Sequence, residues 1–228
     1  MTSTFRRLSI LCAAGALTLS ACQKKSDPLA PTPANFKQAL LTYLQARGDL
    51  CFGKQFPLDV SEADLAHGSR DARQMPVLER AGLVTSSEAT GHVNTEDGPK
   101  EIPVHRYMLT DLGQRSYLSR PVPGQLDKDG KPVLRSDLCA LKLRLEKITK
   151  TELTPALPQN PTSATLSYTY QVEPAPWMGS AEVQQVFPAI ARVINGAGTA
   201  ELKEGFTLTD KGWVANELVP PNTALANR

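Results

Sequence analysis

Histidine, tryptophan and any surplus of one charge are what this chain of 228 residues has least of. Its 3 histidines, His67, His92 and His105, are scattered. No two stand at the spacing of a helical metal site, and no cysteine is free to join them, so no metal is expected. Each reads as a surface residue, His67 at a helix end and His92 in a polar tip. The chain contains no G-x-S-x-G elbow, no Walker loop, no dinucleotide fingerprint and no C-x-x-C pair. Ser180 after Gly179 is explained as a helix cap. Glu62 with Asp64, and Glu96 with Asp97, read as solvated loop carboxylates and not as an acid–base pair. No catalytic residue and no cofactor are therefore expected. The 25 Lys and Arg against 23 Asp and Glu leave a net charge of only +2. That excess is too small for sequence-independent nucleic-acid binding, which depends on neutralising phosphates.

What is present begins at the N-terminus. Arg6 and Arg7 form a basic region, and Leu8 to Leu19 is apolar or small throughout. That run has the length of a signal-peptide core and is too short to span a bilayer as a helix. Leu19-Ser20-Ala21-Cys22 then closes it on a cysteine. This arrangement resembles the lipobox of bacterial lipoproteins. The resemblance implies that residues 1–21 are a signal peptide, that the Cys22 thiol receives a diacylglycerol, and that Cys22 becomes the acylated first residue of the mature chain. At about 0.8 kcal/mol per buried chain carbon, several acyl chains make a stable anchor. Gln23 stands where the lipoprotein sorting rule places Asp for inner-membrane retention, which implies the periplasmic face of the outer membrane. Residues 22–35 are polar and carry Pro28, Pro31 and Pro33. Such a stretch buries too little apolar surface to fold and is expected to act as a tether. Cleavage removes Arg6 and Arg7 with no acid, so the remaining bases match the 23 acids.

Of the 4 cysteines, Cys12 leaves with the signal and Cys22 carries lipid. Cys51 and Cys139 remain, both in an Asp-Leu-Cys context, and in an oxidising compartment they are expected to form a disulfide. Two buried free thiols are the alternative.

The body reads as α+β in two lobes. In the first, residues 36–120, Asn35 is placed as the N-cap of a helix. Phe36, Ala39, Leu40, Tyr43 and Leu44 lie on one face of it, and Gly48 is its C-cap. Phe52, Phe56, Leu58 and Val60 follow in an extended segment. Ser61 with Asp64 marks another helix start. A helix over 70–81 turns Met75, Leu78 and Ala81 inward, with Pro76 in its first turn. Strands near Leu83-Val84 and Val104–Leu109 flank a polar tip from Ser86 to Lys100, and Thr110 or Asp111 caps a last short helix. The words Leu78-Glu79-Arg80-Ala81-Gly82-Leu83-Val84 and Tyr107-Met108-Leu109-Thr110-Asp111-Leu112-Gly113 resemble winged-helix domains, over roughly half of this lobe. The resemblance implies a helical lobe with a β-hairpin wing. The same element order also arises without a shared fold. In that family the helix before the wing enters DNA. Here Asp71, Glu79, Glu88, Glu96 and Asp97 would oppose phosphate, so only the architecture is expected to carry over.

Residues 121–135 read as a linker. The second lobe, 136–228, is expected to be β-β-α-β-β, an antiparallel sheet with a helix on one face and a disordered C-terminal tail. Leu141, Leu143 and Leu145 alternate with polar residues, as do Ala164, Leu166, Tyr168, Tyr170 and Val172. Pro188 is expected to kink or split the helix of this lobe. Leu208-Thr209-Asp210-Lys211-Gly212 echoes Leu109-Thr110-Asp111-Leu112-Gly113, which fits either an internal duplication or chance. Trp177 and Trp213 sit at turns beside Pro or Gly and are candidate anchors for a protein partner, or else rims of the core. The two Asp-Leu-Cys sites, the Tyr168-Thr169-Tyr170 strand and the Thr209–Trp213 turn are similar to uncharacterised proteobacterial envelope lipoproteins, which implies location and no activity. The expectation is a non-enzymatic, lipid-anchored envelope protein facing the periplasm, acting by protein binding or scaffolding. An immunity or inhibitor lipoprotein against an exported toxin or cell-wall enzyme is the alternative. A third reading is an envelope enzyme whose site is assembled from residues that spacing does not connect.

Overall fold

Alternation of apolar and polar side chains from Ser163 to Pro174 builds the centre of the fold. The computed structural model describes residues 27–157 and 162–219. In chain order its elements are α1 (Pro33–Arg47), β1 (Asp49–Cys51), β2 (Leu58–Ser61), α2 (Glu62–Ala66), α3 (Arg70–Arg80), β3 (Val84–Thr95), β4 (Gly98–Leu109), α4 (Asp111–Gln114), β5 (Tyr117–Leu126), β6 (Pro132–Thr154), β7 (Ser163–Pro174), α5 (Ala181–Val186), α6 (Pro188–Asn195), β8 (Glu201–Thr209) and β9 (Gly212–Ala215). The larger sheet has six antiparallel strands, ordered β1-β6-β7-β8-β9 with β5 also paired to β6. The 23-residue β6 is its spine. It takes β5 along 132–138, β1 along 139–142 and β7 along 141–154. Ala164, Leu166, Tyr168 and Tyr170 are buried, and so are Ser167 and Thr169, so β7 is covered on both faces.

The first helix packs against β9 and β6 of that sheet. Phe36, Ala39, Leu40 and Leu44 are its buried face. Its cap is Thr32, whose side chain accepts from Asn35 N at 3.3 Å, and not Asn35. The Asn35 carboxamide instead donates to Asp27 O and Ala30 O, each at 2.8 Å, and holds the preceding turn. The described part of the expected tether, 27–32, is thus folded back onto the helix, with Pro28 against Gly212. Gly48 ends α1 with an ordinary helical φ of −71°. It is glycine because a Cβ there would press on Leu44 O and come within 3.1 Å of Leu143 O. Immediately beyond, Cys51 lies opposite Cys139 in the β1–β6 register, and the two form a disulfide.

The expected fold class is corrected by this arrangement. Of the described residues 47% are strand and 30% helical, and no helical winged-helix lobe is formed. Only α1, α3 and α6 reach two turns. The physical reason is where the apolar faces go. The buried side of α1 is spent on the large sheet, and α3 packs on α5, where Gln74 Nε2 donates to Val186 O at 2.9 Å and Arg80 pairs with Glu182. The short α2 has the expected Ser61–Asp64 capping box but no buried residue. A bundle of three helices therefore has nothing to pack around. Pro76 stands in the interior of α3 and not in its first turn.

The β-β-α-β-β order of the second half is present as β6, β7, α5–α6, β8 and β9, with Pro188 opening α6. It is not a separate lobe, because β1 and β5 complete the same sheet and one apolar core runs from Phe36 through Leu78, Leu138 and Phe206. Residues 121–135 are not a bare linker but the facing ends of the β5–β6 hairpin. The signal peptide, Cys22 and the C-terminal tail lie outside the described residues. A second, three-stranded sheet, β2-β4-β3, stands apart from the first.

Candidate interaction surface

The polar stretch from Ser86 to Lys100 is strand along most of its length. It forms, with β4, a two-stranded ribbon in unbroken register from Val84↔Leu109 to Thr95↔Gly98. Glu96 and Asp97 make the two-residue tip. Thr95 Oγ1 donates to Gly98 O at 2.7 Å, and Gly98 takes φ 111°, which a side chain would strain. The β8–β9 turn repeats this geometry, with Thr209 Oγ1 to Gly212 O at 2.8 Å and φ 112° at Gly212. The sequence echo of 208–212 with 109–113 has no structural counterpart, because Thr110 caps α4 by accepting from Gly113 N at 3.1 Å.

At its base the ribbon is anchored. Val84 and Tyr107 are in the main core, and β2 pairs with β4 from Val104 to Tyr107. Arg106 spans the ribbon there. Its guanidinium makes two bonds to Asp59, at 2.7 and 2.6 Å, and a third to Thr90 O at 3.1 Å. The Arg106 guanidinium holds the Asp59 carboxyl below the usual carboxylate range. Gly91 leaves room for this knot, since a Cβ there would lie 2.8 Å from Val104 Cγ1 and 3.2 Å from Asp59 Oδ2.

Beyond Val104 no third strand among the described residues pairs with either strand of the ribbon. From His92 to Thr95, and across the tip, every residue is exposed. The charges beyond Val104 are Glu96, Asp97 and Glu101 against the single Lys100, with Glu88 just inside this margin. Two cross-strand pairs lie on one face: His105 Nδ1 is 3.0 Å from Glu88 Oε1, and His92 stands opposite Glu101. Like pairs across a strand pair couple side chains about 5 Å apart.

The two strand edges differ. A proline has no N–H to give to a ladder, so in a regular pairing its nitrogen faces outward. Pro99 opposite Asn94 and Pro103 opposite Thr90 therefore place blocked positions on the outer edge of β4. The outer edge of β3 carries no proline from Val84 to Thr95. Ser86, in the same phase as Thr90 and Asn94, confirms which groups face out: its N–H leaves the ladder and donates to Glu79 Oε1 at 2.6 Å.

The residues singled out in the sequence fall elsewhere. Trp177 is 8% exposed, packs on Phe52 with ring centroids 5.6 Å apart and donates to Ser116 Oγ at 3.2 Å. Trp213 is 7% exposed and packs 4.8 Å from Phe36. Neither presents its ring as an anchor, because each fills the core beside its turn. His67 caps the end of α2, its Nδ1 2.7 Å from Ala63 O. Of the paired carboxylates, Asp64 belongs to the capping box and Glu96-Asp97 to the ribbon tip.

The hollows that open to solvent include a larger and a smaller one. One, of about 500 Å³, lies between the end of α1 and β5, lined by Arg47, Arg120 and Leu218 among others. Both arginines already have partners: Arg120 pairs with Asp49 and Arg47 stands 4.0 Å from Glu217. The other, of about 230 Å³, lies between Pro28 and Trp213. Burial pushes the Tyr168 hydroxyl up to about 12 and also raises Tyr43 and Glu204. Among the described residues no three His, Cys, Asp or Glu side chains come together to hold a metal. No helix among them is long and apolar enough to cross a membrane.

No protein-family model, curated protein or solved structure matches this chain.

Proposed function

We propose that this chain is a lipid-anchored envelope protein that faces the periplasm and acts without catalysis, by binding a protein partner through the β3–β4 ribbon. The anchor rests on the sequence Leu19-Ser20-Ala21-Cys22 behind a basic, apolar N-terminus, and Gln23 favours the outer membrane. The Cys51–Cys139 disulfide supports an oxidising compartment. The observation that carries the binding reading is the ribbon itself: 12 residues in each strand, anchored in the core at one end and uncovered at the other. Backbone exposed in this way is a template for another chain, and proteins that do not use it usually shorten or cover it. The acidic tip, Glu96-Asp97, favours the second reading, an immunity or inhibitor lipoprotein whose ribbon occludes the site of an exported toxin or wall-degrading enzyme.

The test is a crosslinking pull-down of the lipidated chain from envelope membranes, with Cys22→Ala as control. The expected result is one stoichiometric protein partner from wild type, lost or mislocalised in the control. Recovery of the chain alone from correctly fractionated outer membranes overturns the reading.

A further inference from the structure

The two edges of the ribbon are treated differently, and that difference has a direction. Isolated strand edges associate unless something prevents it, and proline is one of the devices that does. On β4 the outer edge is closed twice over: β2 covers Val104–Tyr107, and Pro103 and Pro99 interrupt the remainder. On β3 the Ser86 N–H is taken by Glu79 and the Thr90 carbonyl by Arg106. Glu88, His92 and Asn94 are exposed, and no group among the described residues bonds to their outward backbone.

We infer that the outer edge of β3 distal to the Arg106–Thr90 contact, at His92–Asn94, is a pairing edge that receives an extended, basic segment of a partner protein as a fourth strand of the β2-β4-β3 sheet. Main-chain bonds supply the affinity in this mode of recognition, and side chains on alternate positions supply the choice of partner. The choice here is set by charge. Glu88, Glu96, Asp97 and Glu101 surround the free edge, opposed by Lys100 and by the Arg106 guanidinium at Thr90 O, whose charge Asp59 balances, so an incoming strand with Lys or Arg on alternate residues still meets the complementary potential. A second copy of this chain brings the same acids and is disfavoured by like-charge contact. The inference rests on the binding reading above and assigns it an atomic surface.

The test uses the full lipidated chain in envelope membranes, with a photoreactive residue placed at Asn94 or, in a separate protein, at Pro99. The expected adduct forms at Asn94 about tenfold more than at Pro99, the ratio given by roughly 1.4 kcal/mol of preference. The crosslinked peptide, sequenced by mass spectrometry, carries net positive charge. A backbone variant gives the second readout. His92→Pro removes an outward N–H and spares the β3–β4 ladder, because His92 has the same phase as Asn94 and Thr90, and it is expected to lower recovery of that partner by about tenfold. His92→Thr keeps the N–H and is expected to retain the partner. Equal adducts on both edges, adducts with a second copy of this chain, an acidic crosslinked peptide, or a His92→Pro protein that recovers the partner undiminished would each overturn the edge assignment while leaving partner binding intact. Adducts at neither position would overturn the edge together with the binding reading.

Discussion

The Cys51–Cys139 bond closes a loop with a sequence separation of 88 residues, which makes its removal the sharpest perturbation of the fold. In the chain-entropy model such a crosslink withholds conformational freedom from the unfolded chain worth about 4.6 kcal/mol at 25 °C. The bond also joins β1 to the spine strand β6 at the point where α1 turns into the sheet, so the unfolded chain without it must find that pairing unaided. Cys51→Ala/Cys139→Ala is therefore expected to lower the unfolding free energy in urea by about 4–5 kcal/mol. For a body of this size, at about 3 °C per kcal/mol, the midpoint of thermal unfolding drops by roughly 14 °C. Wild type unfolded in excess reductant should match the double variant, since both lose the same closed loop. A difference below about 1 kcal/mol would refute the loop-closure reasoning and imply an unfolded state already compact around the β1–β6 pair.

Other substitutions test the packing and the ribbon. Phe206 is fully buried, so Phe206→Ala should cost about 3–5 kcal/mol in the same urea assay. Gly48→Ala forces a Cβ against backbone oxygens and should cost upwards of about 1–3 kcal/mol. The Asp59–Arg106 pair is half-exposed, so Asp59→Asn should cost about 0.5–1 kcal/mol at pH 7. Because Arg106 lowers the folded-state pKa of Asp59, that contribution is present above its unfolded value of 3.8 and is lost as pH falls through the folded value; urea titrations of both proteins from pH 7 down to pH 2 should converge. Burial raises Glu204 above its unfolded value of 4.5, so folding favours its protonated form. Glu204→Gln should consequently gain stability relative to wild type between pH 4 and pH 7, and a gap that shrinks over that range would contradict the sign.

Single elements were more legible in the sequence than their assembly. The apolar faces of α1 and α3, the capping box at Ser61, the split at Pro188 and the alternation in β6 and β7 are all local, and each formed where its period placed it. The winged-helix expectation failed because the order of helices and strands does not state what each apolar face packs against. That is decided by β6, whose 23 residues recruit β1 and β5 from the first half of the chain. The hairpin was read at its base, but its continuation as strand through Ser86 to Lys100 was missed for a different reason. Its strands lack a core face, so apolar alternation is weak. A period of two was nonetheless readable: small or apolar Ala89, Gly91 and Val93 against polar Glu88, Thr90, His92 and Asn94. With the Thr-x-x-Gly turn fixed at Thr95–Gly98, that period pairs Glu88 with His105 and His92 with Glu101. Of the two readings of the tryptophans, partner anchor or rim of the core, the burial fits the second; a turn in the sequence does not say which way a ring faces, and both rings face inward.

The ribbon is the proposed contact surface, and its removal is possible without touching the sheet below it. Replacing residues 92–101 with Asn-Gly joins Gly91 to Ile102 through a two-residue hairpin turn and leaves the Val104–Tyr107 pairing with β2 intact. The decisive measurement is quantitative recovery of crosslinked partner from envelope membranes by this trimmed chain and by wild type, at equal abundance and equal thermal stability. Loss of the partner from the trimmed chain is the predicted result. Equal recovery from both would contradict the central claim and move the contact surface off the ribbon.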